Sequence, residues 1–127
     1  MANEINFTAS ISAFKPMVMS SAIGRSISGL VISMTNDQYI QGSVLIGLAA
    51  TAFPLAQVGA PHWCYLRNLD PTNYVTVGVG AGGAVPGSAL IQLNPGEPAF
   101  FPLSVAAAPY GLANTAACWC EYLILAL

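Results

Sequence analysis

Charge is the scarcest property of this sequence. Three basic and five acidic residues account for all its formal charges, so charged residues make up 6% of the 127 positions while hydrophobic residues make up 55%. An ordinary soluble domain is roughly a quarter charged. A free monomer of this composition would expose much uncharged surface, and we therefore expect other chains to cover part of it. The composition favours a component of an assembly.

A basic surface is also missing. Lys15, Arg25 and Arg67 lie far apart in the sequence, and the net charge is −2. Proteins that bind nucleic acid need a basic stripe that neutralises phosphates and releases their counterions. We therefore expect no nucleic-acid partner, which also argues against a coat protein that packages RNA.

Uninterrupted apolar runs of membrane-spanning length are absent as well. Residues 38–66 carry no charge, but glycine, proline and glutamine interrupt their most apolar part, and no Lys or Arg cluster flanks it. The opening Met1-Ala2-Asn3-Glu4 is acidic and does not resemble a secretory signal. We expect no membrane partner and synthesis in a cytoplasm.

The three cysteines are an odd number, and we expect no export signal, which together predict reduced thiols. The matched tripeptides His62-Trp63-Cys64 and Cys118-Trp119-Cys120 leave an alternative open. If they lay on neighbouring strands, their four ligands could hold a zinc ion as Cys₃His. We prefer the interpretation that the cysteines fill core spaces, and we predict no bound metal or cofactor.

Groups that could carry out catalysis are few. His62 is the single histidine, and Cys64 lies two residues away on the same predicted strand, where a nucleophile and its base do not readily meet. Arg67 and Glu121 are better interpreted as a structural cross-strand pair. We predict that the protein is not an enzyme and has no catalytic residues.

Apolar and polar residues alternate with the period of a β-strand. The alternation is clearest over Ile5 to Ala13. Residues 61–80 predict a hairpin, in which one strand ends at the turn Asp70-Pro71-Thr72-Asn73 and a second strand presents its valines on one face. We expect the Asp70 and Asn73 side chains to hydrogen-bond to their own backbone in this turn.

Turn signals separate the remaining predicted strands. These strands cover residues 23–34, 39–48, 89–93, 99–103 and 116–127. Gly24 and Gly29 suggest bulges or close packing, and residues 78–89 predict a glycine-rich loop. Pro98 and Pro102 predict that their strand lies at an edge or is irregular. We therefore predict a single all-β domain over residues 1–127, a jelly-roll-like β-sandwich of about eight strands with no helix longer than two turns.

The segments "YLRNLDPTNYVTVG", "LNPGEPAFFPLS" and "CWCEYLILAL" resemble small all-β virion proteins of tailed bacteriophages. The resemblance is best over residues 60–127. It implies a phage structural protein, in a capsid decoration, head fibre or tail role, and it transfers no ligand-binding residue to this chain.

We therefore expect a non-enzymatic virion protein, made in the host bacterial cytoplasm, that decorates or cements a capsid by bridging its shell subunits. A homotrimer is the favoured oligomer, and capsid or tail proteins are the expected partners. The alternative is a tail-associated carbohydrate-binding or host-attachment module, since Trp63, Trp119 and the tyrosines could form a stacking platform. In either case we expect residues 1–5, the first strand or the last strand to contact a neighbouring subunit.

Overall fold

A computed structural model of the chain describes residues 5–13, 23–32, 38–55, 58–104 and 108–126. Its strands and its one short helix are β1 (Ile5–Ala13), β2 (Ile23–Ile32), β3 (Tyr39–Ile46), β4 (Thr51–Ala52), β5 (Pro61–Asn68), β6 (Val75–Val79), α1 (Gly80–Gly83), β7 (Ile91–Leu93), β8 (Pro98–Pro102), β9 (Pro109–Ala113) and β10 (Cys118–Ala126). The all-β prediction is confirmed, although the described residues form ten strands in three sheets rather than about eight in one sandwich. No helix among them is long and apolar enough to cross a membrane.

The chain divides into two compact units, residues 1–35 and 36–127. The first unit holds the antiparallel pair β1 and β2, and the predicted strand from Ile5 to Ala13 is confirmed to the residue. Phe7 pairs with Leu30 but Ala9 pairs with Ile27, so β2 carries one extra residue in the segment that includes Gly29. A bulge is one of the two features that the glycine pattern suggested for β2. The assignment of residues 1–127 to a single domain stays a prediction.

The second unit consists of two four-stranded antiparallel sheets. We call β3-β10-β5-β8 the front sheet and β4-β9-β6-β7 the back sheet. Inward side chains of both sheets form one buried core, made of Ile46, Phe53, Cys64, Leu66, Val75, Val77, Leu93, Ala113, Cys118, Cys120 and Ile124. Burial of this apolar surface is the main stabilising term for the unit.

The hairpin predicted over residues 61–80 is wrong in its pairing. Both strands and the turn between them are present, but β5 pairs within the front sheet and β6 within the back sheet. The reason is that Leu66 and Val75 are both buried, and each strand covers the same core from its own side. The turn therefore connects the two sheets instead of closing a ladder.

The turn at Asn94-Pro95-Gly96-Glu97 makes a second connection of this kind. Gly96 has φ of 79°, which a side chain would disfavour, and the Glu97 amide donates to the Asn94 carbonyl at 3.0 Å. The strand after it, β8, lies at an edge of the front sheet. Pro98 and Pro102 thus lie on an edge strand, which is one of the two alternatives that the sequence offered for them.

The glycine-rich segment after β6 folds back over the outer side of that strand. The Thr76 hydroxyl is buried and donates to the Ala84 carbonyl. A β-carbon on Gly78 would overlap the carbonyl group of Gly83. Glycine at position 78 is therefore what allows this loop to lie against the back sheet.

Candidate interaction face

The outward side of the front sheet is the candidate functional surface of the second unit. Its strands alternate, with Cys64 and Leu66 of β5 and Cys120 and Ile124 of β10 buried in the core. The odd-numbered side chains between these residues therefore point outward. We call this surface the outer face, and its members are Tyr39, Gln41, Ser43, Leu45, Trp63, Tyr65, Arg67, Trp119, Glu121, Leu123 and Leu125, together with Pro98, Phe100 and Pro102 of β8.

Aromatic and aliphatic side chains dominate both ends of the outer face. At one end Trp119 lies opposite Leu45, and at the other Leu125 lies between Tyr39 and Trp63. Tyr39, Leu45 and Trp119 are 56%, 45% and 55% exposed. Large apolar groups held in water on a rigid sheet are typical of a protein–protein contact surface.

The Trp63 ring stacks on Phe100 and fixes the orientation of this end of the face. The ring centroids are 5.3 Å apart and the planes differ by 9°. The two residues lie on neighbouring strands, where Trp63 pairs with Pro102 and Tyr65 pairs with Phe100. The stack gives this end of the face a flat and preorganised aromatic surface.

A polar cluster lies in the middle of the outer face. Glu121 and Arg67 are directly opposite in the ladder, as the sequence predicted, with Nη1 and Oε1 3.9 Å apart. The Tyr65 hydroxyl donates to the same Oε1 at 2.7 Å, and Arg67 Nε donates to the Gly96 carbonyl at 3.1 Å. Burial, and then the hydrogen bond to Glu121, raise the pKa of Tyr65. Because Arg67 and Glu121 remain 47% and 35% exposed, water screens the pair and it adds little stability.

A shallow groove of about 520 Å³ runs beside this cluster. It is lined by Gln41, Gly42, Ser43, Tyr65, Glu121, Tyr122 and Leu123. The lining combines amide, hydroxyl and carboxylate oxygens with aromatic rings. Groups of this kind can bind the hydroxyls and the apolar face of a sugar.

The four residues considered as zinc ligands do not converge. Cys64 lies opposite Ile124, whereas Cys120 lies opposite Asn68, four positions further along β5. At the rise of a β-strand, four positions correspond to about 13 Å. Among the described residues no group of three or more His, Cys, Asp or Glu side chains could hold a metal ion. The geometry therefore gives the Cys₃His alternative no support.

The cysteines lie in the core, as the preferred interpretation of the sequence expected. Cys64, Cys118 and Cys120 are free thiols with no exposed surface. Burial raises the pKa of the Cys64 and Cys120 thiols to about 12. A thiol that keeps its proton to such a pH is a poor nucleophile and a poor metal ligand.

A second cavity, of about 380 Å³, opens between β6, β7 and β8. It is lined by Val77, Gly78, Val79, Gly83, Ser88, Leu90, Ile91, Phe101, Pro102, Leu103, Ser104 and Pro109. This lining contains no ionisable side chain. It therefore supplies no general acid, general base or activated nucleophile.

Sequence reasoning missed the role of Asn68. Its buried side chain donates to the carbonyls of Asn73 and Leu93 at 2.7 and 3.0 Å, and accepts from the Asp70 amide at 2.9 Å. It thereby joins the turn after β5 to the end of β7. A signal was available, because Asn68 is polar at an inward position that follows Cys64 and Leu66 in the alternation.

Comparisons with known proteins do not add to this geometry. No protein-family model matches the chain, and no curated protein or solved structure matches it.

Proposed function

We propose that this chain is a non-enzymatic structural protein of a bacteriophage virion, which decorates or cements the capsid by bridging neighbouring shell subunits. The observation that carries the proposal is the outer face, where large apolar side chains at both ends of a rigid sheet remain exposed around the Arg67–Glu121 pair. A soluble monomer rarely keeps such a surface bare. Copies of the chain, a homotrimer being favoured, and shell proteins are the proposed occupants.

We further propose that β3 to β10 form a jelly roll. The sheet order supports this, because every connection from β3 to β10 except that from β6 to β7 crosses between the sheets, which gives the orders β3-β10-β5-β8 and β4-β9-β6-β7. Two interleaved Greek keys produce this alternation, and jelly rolls are common in viral capsid proteins. A fold alone does not imply a function, so the sheet order supports the proposal only together with the outer face.

The positions of the cysteines and the histidine, and the lining of the cavity beside β6, support a role without catalysis. The three thiols are buried, and the cavity beside β6 carries no ionisable group. His62 makes a ring contact with its neighbour Trp63, and among the described residues no group of three or more His, Cys, Asp or Glu side chains could hold a metal ion. A cement protein needs none of these groups, since it works through the contact area it adds between subunits.

Locating the protein in intact particles is the deciding experiment. Purified virions should contain the chain in a fixed ratio to the shell protein, and labelling should place it on the capsid surface. Leu123→Ser, at the centre of the outer face, should weaken binding of the purified protein to particles that lack it. Leu48→Ser is the matched control, because Leu48 is exposed outside the outer face. Absence from virions would overturn the proposal.

A tail-associated carbohydrate-binding or host-attachment module is the second candidate. The groove beside Tyr65 and Glu121 favours it, since a carboxylate, an amide and aromatic rings meet there. A glycan array probed with the purified protein tests this function. Binding of a sugar that is lost in Glu121→Gln, together with location on the tail, would replace the capsid proposal with this one.

A further inference from the structure

The four sheet edges of the second unit are protected unequally. In the sheets as described, the edges are β3 and β8 in front, and β4 and β7 behind. β8 contains Pro98 and Pro102, and β4 and β7 are two and three residues long. Proline and short length are devices by which proteins prevent pairing at an edge. β3, with the eight residues YIQGSVLI, has neither device and carries no charge.

The backbone of β3 turns every second residue toward this open edge. The Ala126 amide donates to the Gln38 carbonyl at 3.0 Å, which makes this a hydrogen-bonded pair of the ladder between β10 and β3. Such pairs recur at every second position of an antiparallel ladder. The even-numbered residues of β3 therefore bond to β10. The amides and carbonyls of Tyr39, Gln41, Ser43 and Leu45 point away from it, and no hydrogen bond joins them to the described part of the chain.

The sequence of β3 is self-complementary about Gly42. In an antiparallel pair of two β3 strands centred on Gly42, the large apolar Tyr39 lies opposite Leu45 of the second copy. Gln41 lies opposite Ser43, and Ile40 lies opposite Val44. Each match places side chains of similar character on the same side of the sheet. In this register Tyr39, Gln41, Ser43 and Leu45, whose amides and carbonyls point away from β10, all fall in hydrogen-bonded pairs with the second copy.

We propose that β3 is the docking edge for a second copy of this chain, which pairs with it through its own β3 in antiparallel register about a twofold axis at Gly42. The pairing joins two front sheets into one sheet of eight strands. No charge meets its own copy across the axis, because β3 carries none. The pair also brings the exposed Tyr39 of one copy against the exposed Leu45 of the other. This contact goes beyond the proposed virion role and does not depend on it.

Two double variants that differ at one position test this register. Gln41→Lys with Ser43→Lys puts introduced lysines opposite each other twice across the axis, and like charges directly opposite destabilise a pair. Gln41→Glu with Ser43→Lys puts a carboxylate opposite an ammonium twice instead. Both positions are exposed on the outer face, so the fold of a single chain should tolerate either variant. Circular dichroism and thermal denaturation should show that both variants fold.

The measurement is the mass in solution, by sedimentation over a wide range of concentration. The wild type should contain an even number of copies, which means six where the favoured homotrimers pair in twos through β3. The double-lysine variant should have half the wild-type mass, and the mixed-charge variant should keep it. Amide exchange should be slow at Tyr39, Gln41, Ser43 and Leu45 in the wild type and faster in the double-lysine variant. A wild-type monomer, or a mass that neither variant changes, would overturn the inference. A trimer unaffected by both variants would do so while leaving the virion proposal intact.

Discussion

At the residue scale, the buried thiols should make the folded protein less stable as the pH rises into the alkaline range. Unfolded cysteines have a pKa of 9.0, whereas burial raises the pKa of Cys64 and Cys120 to about 12. Between these values the unfolded chain releases protons that the folded chain keeps, so the free energy of unfolding falls as pH rises. The expected slope is about 1.4 kcal/mol per pH unit for each thiol.

Urea denaturation at a series of pH values measures this slope. We expect a smaller slope in Cys64→Ala and in Cys120→Ala than in the wild type, whatever their absolute stability, because each variant lacks one thiol. The thiols of the native protein should also react slowly with a thiol reagent at mildly alkaline pH. In urea, where the chain is unfolded, all three thiols should react. Equal slopes in the wild type and both variants would contradict the raised pKa of Cys64 and Cys120 in the folded protein.

Asn68 is the polar residue whose loss should cost the most stability. Asn68→Leu leaves the carbonyls of Asn73 and Leu93 and the amide of Asp70 without their buried partner. Since each unsatisfied group costs about 1–3 kcal/mol, we expect the free energy of unfolding to fall by about 3 kcal/mol or more. Chemical denaturation measures it, with the exposed Asn114→Leu as the control. Equal denaturation midpoints for the two variants would show that Asn68 does not join the two segments.

Hydrogen bonds between residues close in the sequence could be predicted, whereas those between distant residues could not. The Asp70 carboxylate accepts from the amides of Asn73 and Thr72, which lowers its pKa, and this local bond was predicted. The expectation that the Asn73 side chain would bond to its own backbone is not met, because that side chain bonds to Thr115 and Asp70. The contact with Thr115 joins residues far apart in the sequence, and a local turn pattern carries no signal for such a bond.

At the element scale, Gly78 decides whether the glycine-rich loop can cover β6. Gly78→Ala would place a methyl group where the Gly83 carbonyl lies. The methyl group is attached directly to the backbone and the carbonyl is part of it, so neither can rotate away. We expect the loop to be displaced, the Thr76 to Ala84 hydrogen bond to break, and stability to fall by about 1–3 kcal/mol. Gly82→Ala is the matched control, because a β-carbon there meets nothing within 4 Å. Equal thermal stability of the two variants would contradict this role.

Strands and turns were predictable from the sequence, but their pairing was not. Alternation identifies which face of β5 or β6 is apolar, and a Pro-Gly turn identifies where the chain reverses. Neither pattern distinguishes a turn within one sheet from a turn between two sheets, since both strands bury the same kind of face. The predicted hairpin over residues 61–80 was wrong for this reason, while the Arg67–Glu121 pair was anticipated because the two strands carry opposite charges.

At the scale of the whole molecule, the uncharged surface that the composition predicted can be placed on particular strands. The outer face and the open edge of β3 meet along Tyr39, Gln41, Ser43 and Leu45, so one strand contributes to both surfaces. Composition predicted that some surface would be covered but did not indicate which. The outer face could not be found from the sequence, because its members come from four strands whose order only the fold defines.

The β1–β2 sheet should depend on a neighbouring subunit for its stability. Two strands alone are marginally stable in water, and Ile27 and Leu30 of this sheet are 49% and 39% exposed. We therefore expect a neighbouring subunit to pack against this pair. Deleting residues 1–12 removes most of β1, and we expect it to weaken assembly or particle binding by about tenfold or more, equivalent to about 1.4 kcal/mol.

The control for this deletion is Gly82→Ala in the glycine-rich loop, which should leave assembly unchanged. The truncated chain should still unfold cooperatively, because the core runs from Ile46 to Ile124 and none of its members is deleted. Residues 1–4 lie outside the described part of the chain, so the expected subunit contact is assigned to β1 itself. If sedimentation and particle binding showed the truncated and full-length chains to be equal, the subunit contact would have to lie away from the first strand.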